Sequence, residues 1–566
     1  MKNILIINLI RLGDIIQTSS VIQGLRKKHT GIRITLVINS NFASATTLLS
    51  GIDNVLEVDT LTMHTCLFSK NRSLCRAYEY TEEFFSQLRE THFDMIINIT
   101  PNTMGVLCAL LADKNANRTR SRAGECGWAV LFESITRHWE TAPFHLIDIH
   151  NKIAGLKPER IVPKVVVEEK YHCRASELLH AGGVRKGDVL IGFFPGASRQ
   201  YKQWPVKYFM ATGKMLQKET DAWIVLFGSD TEKKTALFLE KNLDGRILNT
   251  AGKTNLKELA ALMGSMDILI SNDTGPMHIA AATGTKIISI HTGREMSLST
   301  GPYGQGHVCV QPQLSCYPCN RPEQCADMKC KNAIRPEIIF SAALSLLGKE
   351  RTTLKTLDAT VPVDVSISGF DKNNFLDYYP AQKRPLTVNV FSQKLLRALW
   401  IEVLQNDTIK PRHPARTDKS ADDLVGIFER HYFIENVTGI RNNWSVVCDG
   451  LSKIITYADN GSALSRDIAS LCENMVAHGN RIKNAADQLE MLDEKIVAAG
   501  HCLKEYVSII YMFQSEKEHV HSGDIITVAR QTADVYEHLK LYCSALQQIG
   551  SRCIKRLKEI EKKETA

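Results

Sequence analysis

The sequence of 566 residues lacks any run of about 18 consecutive apolar residues, so a membrane-spanning helix is not expected. It also lacks an arginine-rich tract and basic stretches interleaved with aromatic residues, which argues against nucleic acid as a partner. Charge of either sign is modest, because 69 Lys and Arg against 61 Asp and Glu give a formal net charge of +8. That balance permits an acidic ligand or peripheral contact with an anionic membrane surface and requires neither. We therefore expect a cytoplasmic protein.

Proline is absent from residues 415–566, because all 17 prolines lie at or before Pro414. The 15 cysteines are mostly scattered, which in a cytosolic chain indicates reduced thiols, but five of them fall between Cys309 and Cys330. The hydrophobic fraction of 44% and the charged fraction of 23% exclude a disordered or collagen-like chain. These changes in proline and cysteine content along the chain divide it near residue 350 into an α/β-like part and a mostly helical part.

The α/β-like part alternates short β-branched runs with amphipathic stretches, and the alternation restarts near residue 189. The predicted strands are Ile4–Asn8, Arg33–Ile38, Phe93–Ile99, Val189–Phe194, Ala222–Phe227, Asp267–Ser271 and Lys286–His291. The predicted helices are Ile15–Lys28, Glu82–Glu90, Pro205–Gln217, Glu232–Lys241, Asn255–Ser265 and Met277–Thr283. This order predicts two Rossmann-like, doubly wound domains, 1–165 and 166–350, that face a cleft at the carboxyl ends of their strands.

The remaining residues are predicted as a linker, 351–385, followed by a helical domain, 386–566. Apolar residues recur in a three-four alternation from Ile468 to Phe513 and again from Val528 to Ile560. Such spacing packs one helical stripe against another, so we predict a long antiparallel helical hairpin that turns at Ser522 and Gly523. Its expected role is homo-oligomerisation or the binding of a partner. Gly479 and Gly500 are each expected to weaken the first helix by about 1 kcal/mol relative to alanine.

The loop after the first predicted strand, residues 8–14, carries a glycine and a carboxylate. Gly13 permits a tight turn. Asp14 either caps the helix that follows or faces the cleft, where its carboxylate takes a proton from a hydroxyl group.

A second loop, residues 194–205, has the features of a phosphate cradle without the P-loop consensus. Gly196 lets the backbone come close to a ligand, Ser198 offers a hydroxyl group, and Lys202 offers a point charge. The alternative is an ordinary loop with an exposed lysine.

A third segment, residues 270–282, joins a strand to a helix of small residues through a polar turn. Thr274 and Gly275 would present N–H groups to an anion at the helix N-terminus. Asp273 and His278 lie at the same edge of the predicted sheet. A single histidine at such a place is more often a structural hydrogen-bonding residue than a catalyst.

Four cysteines lie within a short segment whose spacing is Cys-x2-Cys-x5-Cys-x4-Cys. Four thiolates at this spacing form a structural zinc or iron site, with free thiols or disulfides as the alternatives. The residues are Cys316, Cys319, Cys325 and Cys330.

The sequence resembles glycosyltransferase family 9, the ADP-heptose transferases of lipopolysaccharide synthesis, over residues 1–347. The motifs that carry the resemblance are Arg11-Leu-Gly-Asp14, Pro-Gly-Ala-Ser-x3-Lys202-x-Trp-Pro, Ala-Gly-Lys-Thr254-Asn-Leu and Asn-Asp273-Thr-Gly-Pro-Met-His278. The resemblance implies a GT-B fold and an inverting transfer that needs no metal. Consistent with this, the sequence has no convincing Asp-x-Asp metal motif. Some protein-directed members of the family use a similar cysteine-rich segment for iron.

The resemblance also implies roles for single residues. Asp14 corresponds to the general base, and Lys202 to a catalytic residue that holds the donor diphosphate. Ala197 stands where some members carry a hydroxyl group, so one phosphate contact is expected to be lost. The expected donor-binding residues are Gly13, Gly196, Ala197, Ser198, Glu232 at the ribose, Thr254 at the adenine, Asp273 at the heptose hydroxyl groups, Thr274, Gly275 and His278.

The expected reaction is therefore the transfer of heptose from ADP-heptose to a hydroxyl group of a lipopolysaccharide core or a protein. The protein would work in the cytoplasm or at the periphery of the inner membrane. Two alternatives remain, a nucleotide-sugar epimerase or hydrolase, and a weakly catalytic platform whose helical part binds a partner. Basic side chains either meet the acceptor or form a solvated face; they are Arg118, Arg120, Arg122 and His138.

Overall fold

The computed structural model describes residues 2–68, 73–100, 102–113, 127–137, 142–349, 354, 362–404, 415–434, 437–520 and 523–564. The chain divides into two compact units. The α/β unit is formed by Met1–Arg120 and Phe144–Gln382, and the helical unit by Ser121–Pro143 and Lys383–Ala566. Four basic residues considered as contacts for the acceptor lie outside the described residues; they are Arg118, Arg120, Arg122 and His138.

The first sheet of the α/β unit is parallel and has the strand order β3-β2-β1-β4. Its strands are β1 (Asn3–Asn8), β2 (Arg33–Asn39), β3 (Asn54–Val58) and β4 (Met95–Asn98). The helices around it are α1 (Leu12–Lys28), α2 (Thr60–Phe68), α3 (Leu74–Glu90) and α4 (Thr103–Ala112). The chain then contributes α5 (Gly127–Arg137) to the helical unit and returns as α6 (Leu146–Ile153). The predicted first domain, 1–165, is thus interrupted by a segment that belongs elsewhere.

The second sheet has eight strands in the order β12-β11-β10-β9-β8-β5-β6-β7. The strands are β5 (Leu190–Phe194), β6 (Trp223–Leu226), β7 (Ile247–Asn249), β8 (Ile268–Asn272), β9 (Lys286–Ile290), β10 (Val308–Pro312), β11 (Val363–Phe370) and β12 (Leu376–Pro380). The helices are α7 (Glu169–Ala181), α8 (Val206–Thr220), α9 (Lys233–Asn242), α10 (Leu256–Gly264), α11 (Gly275–Ala282), α12 (Ser297–Thr300), α13 (Lys329–Ala333) and α14 (Pro336–Leu346). From β7 to β10 the strands are parallel and follow the Rossmann order.

Burial explains why these segments form central strands. Every residue of β5, β6 and β8 is buried, which is typical of parallel strands covered on both faces. Phe193, Trp204 and Phe209 pack edge to face in the core beneath them. Trp204 Nε1 donates to the carbonyl of Ile334 at 2.8 Å, so the indole N–H group is satisfied in the interior. The predicted doubly wound α/β architecture is confirmed.

The predicted linker, 351–385, is wrong over its second half. Residues 363–380 form β11 and β12, which extend the second sheet with antiparallel strands. Val363, Val365 and Ile367 alternate with polar residues, which is the pattern of a strand with one buried face. Val363 and Val365 lie in the core, and Ile367 packs against it. The prediction of a linker missed this alternation. Residues 350–353 and 355–361 lie outside the described residues.

The helical unit begins after a short β13 (Arg384–Pro385), which pairs with β14 (Tyr432–Phe433). Its helices besides α5 are α15 (Val388–Val403), α16 (Ala415–His431), α17 (Val437–Leu471), α18 (Met475–His501), α19 (Ser508–Glu518) and α20 (Ile525–Glu564). Helices α17 and α20 pack against each other along their length. In the described part of the chain, we find no helix with the length and apolarity needed to cross a bilayer.

The predicted hairpin is wrong in its first arm. The stripe from Ile468 to Phe513 is divided among the end of α17, α18 and α19, with 3-10 turns at Cys472–Asn474 and Lys504–Tyr506. Helix α20 packs mainly on α17, and α18 also packs on α17. At Gly500 an added Cβ would overlap the side chain of Ile510, so this glycine permits the chain to fold back there. Of the predicted turn, Ser522 lies outside the described residues and Gly523 precedes α20.

Gly550 and Gly479 provide a matched pair of helix substitutions. We expect Gly550→Ala to lower the free energy of unfolding by about 1–3 kcal/mol, because the added Cβ overlaps the ring of Trp444. We expect Gly479→Ala to raise it by about 0.5–1 kcal/mol, since no described atom lies within 4 Å of the new methyl group. Urea denaturation of both variants measures the difference, and equal effects would contradict the described packing of α17 on α20.

Candidate active site

The loops singled out in the sequence meet where the strand orders of the two sheets reverse. The reversal lies between β1 and β4 in the first sheet and between β5 and β8 in the second. The N-termini of α1 and α11 face each other there: a Cβ on Gly13 would lie 2.6 Å from His278 Cδ2, and one on Gly275 would lie 3.0 Å from Leu12 Cδ2. Both Gly13 and Gly275 therefore permit a close approach that a side chain would prevent.

A buried ammonium group lies at the centre of this region. Lys202 Nζ is 2.9 Å from Asp273 Oδ2 and 2.8 Å from Glu295 Oε1. Burial lowers the pKa of Lys202, but the two carboxylates outweigh burial and raise the pKa above its ordinary value. Burial raises the pKa of Asp273, but the Lys202 ammonium reverses this and the pKa is lowered. The pair is therefore ionised at neutral pH.

The loop that carries Lys202 is held in place by hydrogen bonds to residues at the ends of β8 and β9. Asn272, the last residue of β8, donates from Nδ2 to the carbonyl of Pro195 at 2.7 Å and accepts from the Trp204 N–H group at 2.9 Å. Thr292 Oγ1 donates to the carbonyl of Tyr201 at 2.7 Å. These bonds hold the Pro195–Trp204 loop against the ends of β8 and β9, so the lysine side chain is directed inward.

Asp14 caps α1, one of the two roles weighed from the sequence. It lies at the third position of α1, where its Oδ2 accepts from the Arg11 N–H group at 3.2 Å. The carboxylate is also half-buried beside the charged cluster. Burial raises the pKa of Asp14 to about 6, with Asp273 adding to the rise and Arg11 and Lys202 opposing it. Such a group is ionised at pH 7 and is able to accept a proton.

The histidines near the cluster are neutral. Burial lowers the pKa of His278 to about 4 and that of His291 to about 4. Gln17 Nε2 donates to His278 Nδ1 at 3.0 Å, which joins α1 to α11. His291 Nε2 lies 3.0 Å from Ser289 Oγ. The charge at the strand ends is therefore carried by the carboxylates and Lys202, not by imidazolium groups.

The residues expected at the nucleoside follow β5, β6 and β7. Glu232 accepts from the Ser229 N–H group at 2.8 Å, and a Cβ on Gly196 would lie 2.6 Å from its Cγ, so this glycine makes room for the carboxylate. Thr254 is half-buried. Ala197 is half-buried and accepts at its carbonyl from Gln203 Nε2 at 2.9 Å, whereas Ser198 is exposed.

The four cysteines predicted to bind a metal are free thiols in the described structure. Cys316 is exposed and Cys319, Cys325 and Cys330 are half-buried. Burial raises the pKa of Cys330, and the neighbouring thiols of Cys325 and Cys316 add to the rise. Among the described residues no three His, Cys, Asp or Glu side chains are arranged to hold a metal ion. The zinc or iron site stays a prediction, and we assign no chemical step to it.

Sequence reasoning missed Glu295 and Gln17. Glu295 follows β9, and the rule that site residues lie beyond the carboxyl ends of parallel strands would have included its loop. Gln17 lies three residues after Asp14 on α1 and therefore on the same face of that helix. Its side chain is buried, and in the described structure its Oε1 atom has no hydrogen-bond partner.

Part of this chain matches a known protein family. Residues 82–329 match the model described as glycosyltransferase family 9 (heptosyltransferase). Lipooligosaccharide heptosyltransferase 2 of Campylobacter jejuni is 27% identical over 173 residues, which are 29% of this chain and 53% of that protein. The lipopolysaccharide core heptosyltransferase OpsX of Haemophilus influenzae is 25% identical over 317 residues, 53% of this chain and 82% of that protein.

The fold also matches a solved structure. The family 9 glycosyl transferase of Veillonella parvula shares 21% sequence identity and aligns with a TM-score of 0.52 over 62% of this chain and 98% of its own. The expected GT-B arrangement of the α/β unit is thus confirmed. This chain spans about half the length of the Campylobacter relative.

Removing Lys202 tests whether the ion pair stabilises the α/β unit. We expect Lys202→Met to lower the free energy of unfolding by about 3–5 kcal/mol, because Asp273 is then buried without its counter-charge. Lys202→Met/Asp273→Asn should recover part of the loss, as measured by urea denaturation. Strictly additive losses would contradict the pairing. Lys540→Met, which breaks the exposed 2.5 Å pair with Asp459, is the control and should cost less than about 1 kcal/mol.

Proposed function

We propose that this chain, whose residues 82–329 belong to glycosyltransferase family 9, transfers heptose from ADP-heptose to a hydroxyl group of a lipopolysaccharide core or a protein acceptor. The observation that carries the proposal is the meeting of Asp14, Lys202 and Asp273 where the strand orders of two Rossmann-like sheets reverse. These residues come from three separate sequence motifs, and their convergence brings a carboxylate close to a buried cation, which supports the proposal.

The donor diphosphate binds at Lys202 and at the N-terminus of α11. Within the described part of the chain, the Thr274 side chain caps no N–H group of α11. Because Pro276 has no N–H group and Met277 donates to the Thr274 carbonyl at 3.0 Å, the N–H group of Gly275 is the donor that the start of α11 offers to an anion. Lys202 supplies a full positive charge in a buried setting, where it is worth more than in water. Together they stabilise the negative charge that develops on the leaving diphosphate. Glu232 binds the ribose and Thr254 lines the adenine side.

Asp14 acts on the acceptor. Its carboxylate takes the proton of the acceptor hydroxyl group as the oxygen attacks the anomeric carbon. The bond between that carbon and the diphosphate oxygen breaks, and its electron pair leaves with the nucleoside diphosphate. Attack opposite the leaving group inverts the anomeric centre. Asp273, which is paired with Lys202 at 2.9 Å, accepts from the heptose hydroxyl groups in this proposal.

Thermal stabilisation by ADP, UDP, GDP and CMP tests the donor. A nucleotide at about 100 times its dissociation constant stabilises the fold by about 2.7 kcal/mol. We expect selective stabilisation by ADP in the wild type and in the control Lys207→Ala, whose lysine is exposed nearby, and its loss in Lys202→Ala. Each variant is compared with its own ligand-free melting temperature, so a destabilised baseline does not mimic lost binding.

The other outcomes of this panel separate the rival functions. Stabilisation by UDP or GDP alone would overturn the heptose donor. No response to any nucleotide would favour a platform whose helical unit binds a partner. In the subsequent assay with ADP-heptose, a product formed without acceptor would favour an epimerase or hydrolase.

The pH dependence of transfer tests the base. Since protonated Asp14 cannot accept a proton, we expect kcat/KM to fall as the pH is lowered through about 6. Asp14→Asn should lower kcat/KM by about 100- to 10,000-fold and abolish this limb of the profile without weakening ADP binding. Asp244→Asn, at an exposed carboxylate, is the control. A retained acidic limb in Asp14→Asn would exclude Asp14 as the base.

A further inference from the structure

Lys202 is shared between two carboxylates in this structure. An ammonium group has three N–H donors, and Asp273 and Glu295 accept two of them, at 2.9 Å and 2.8 Å. Glu295 lies in the loop after β9 and was not selected by any sequence motif. The carbonyl of this residue accepts from the Tyr317 hydroxyl group, so its backbone is anchored while its side chain extends to the lysine.

The local charge balance opposes an anionic ligand. The region contains three carboxylates, those of Asp14, Asp273 and Glu295. The buried positive charge that interacts with them is Lys202, whereas Arg11 is exposed. Burial keeps the adjacent histidine rings neutral at pH 7. A diphosphate that approached Lys202 with both partners in place would therefore meet a net negative charge at short range.

Glu295 is displaced from Lys202 at a lower cost in free energy than Asp273. The Asp273 side chain is 6% exposed and that of Glu295 is 22% exposed. An aspartate displaced from the lysine would stay buried without a counter-charge, which is costly. A glutamate at the solvent side has a longer side chain and can return to water, so its release costs less.

We propose that Glu295 is a positioning residue that holds Lys202 before the donor binds and then yields the ammonium to the donor diphosphate. This inference rests on the proposed function and deepens it. Glu295 keeps the lysine directed at the place of the phosphates before the donor arrives. It lowers the affinity for donor and product alike, and it speeds product release by pairing again with Lys202 as the nucleoside diphosphate leaves.

The test is the affinity and dissociation rate of ADP with the full-length protein, measured by calorimetry and stopped-flow mixing. We expect Glu295→Gln to bind ADP roughly 10-fold more tightly, since a charge-assisted bond no longer competes for Lys202. Its KM for the donor should fall and product inhibition should strengthen. Glu295→Asp keeps the charge but shortens the side chain, and its ADP affinity should lie between those of wild type and Glu295→Gln.

The control is Glu323→Gln, at an exposed carboxylate 3.9 Å from Arg294, which should leave ADP affinity unchanged. A purely structural role for Glu295 predicts weaker binding in Glu295→Gln, so weaker or unchanged affinity would overturn the inference. If the wild type binds no nucleoside diphosphate at all, the proposed function itself fails. Wild-type binding together with an unaltered Glu295→Gln affinity removes only the role of Glu295.

Discussion

The buried ammonium of Lys202 is the charge on which the rest of the site depends. Its loop is fixed by the bonds of Asn272 to Pro195 and Trp204, so the lysine cannot return to solvent without disrupting the end of β8. Asp273 needs this counter-charge because it is buried, and the loop after β9 brings Glu295 to the same nitrogen. Loops after three strands of the second sheet thus converge on one atom.

Burial around that atom determines the protonation of the neighbouring groups. Burial removes the positive charge from His278 and His291, which then serve as hydrogen-bonding and packing groups. It also keeps Asp14 titrating near pH 6, although Lys202 and Arg11 oppose the shift.

The helical unit depends on different contacts. Two glycines let aromatic rings pack closely between α17 and α20. The ring of Tyr536 packs on Gly461, and the ring of Trp444 packs on Gly550. Tyr536 also donates to Asp493 at 2.6 Å, which ties α20 to α18 through a polar contact. Helix α5, which comes from between α4 and α6, joins this unit, and Trp128 within it donates to the carbonyl of Leu404 at 2.8 Å.

The sequence by itself determined seven of the twelve described strands of the two sheets and the loops after β1, β5 and β8, because buried β-branched runs and glycine-flanked polar turns are local signals. It did not select β3 and β7, whose residues are mostly half-buried or exposed, or the strands β10 to β12. It could not select Glu295, since a carboxylate in a loop looks like any surface residue until it meets Lys202. Nor could it pair α17 with α20, because an apolar stripe shows that a helix is covered but not by which helix. Those choices were decided by the tertiary structure, in which long-range burial determines which charges and which rings have partners.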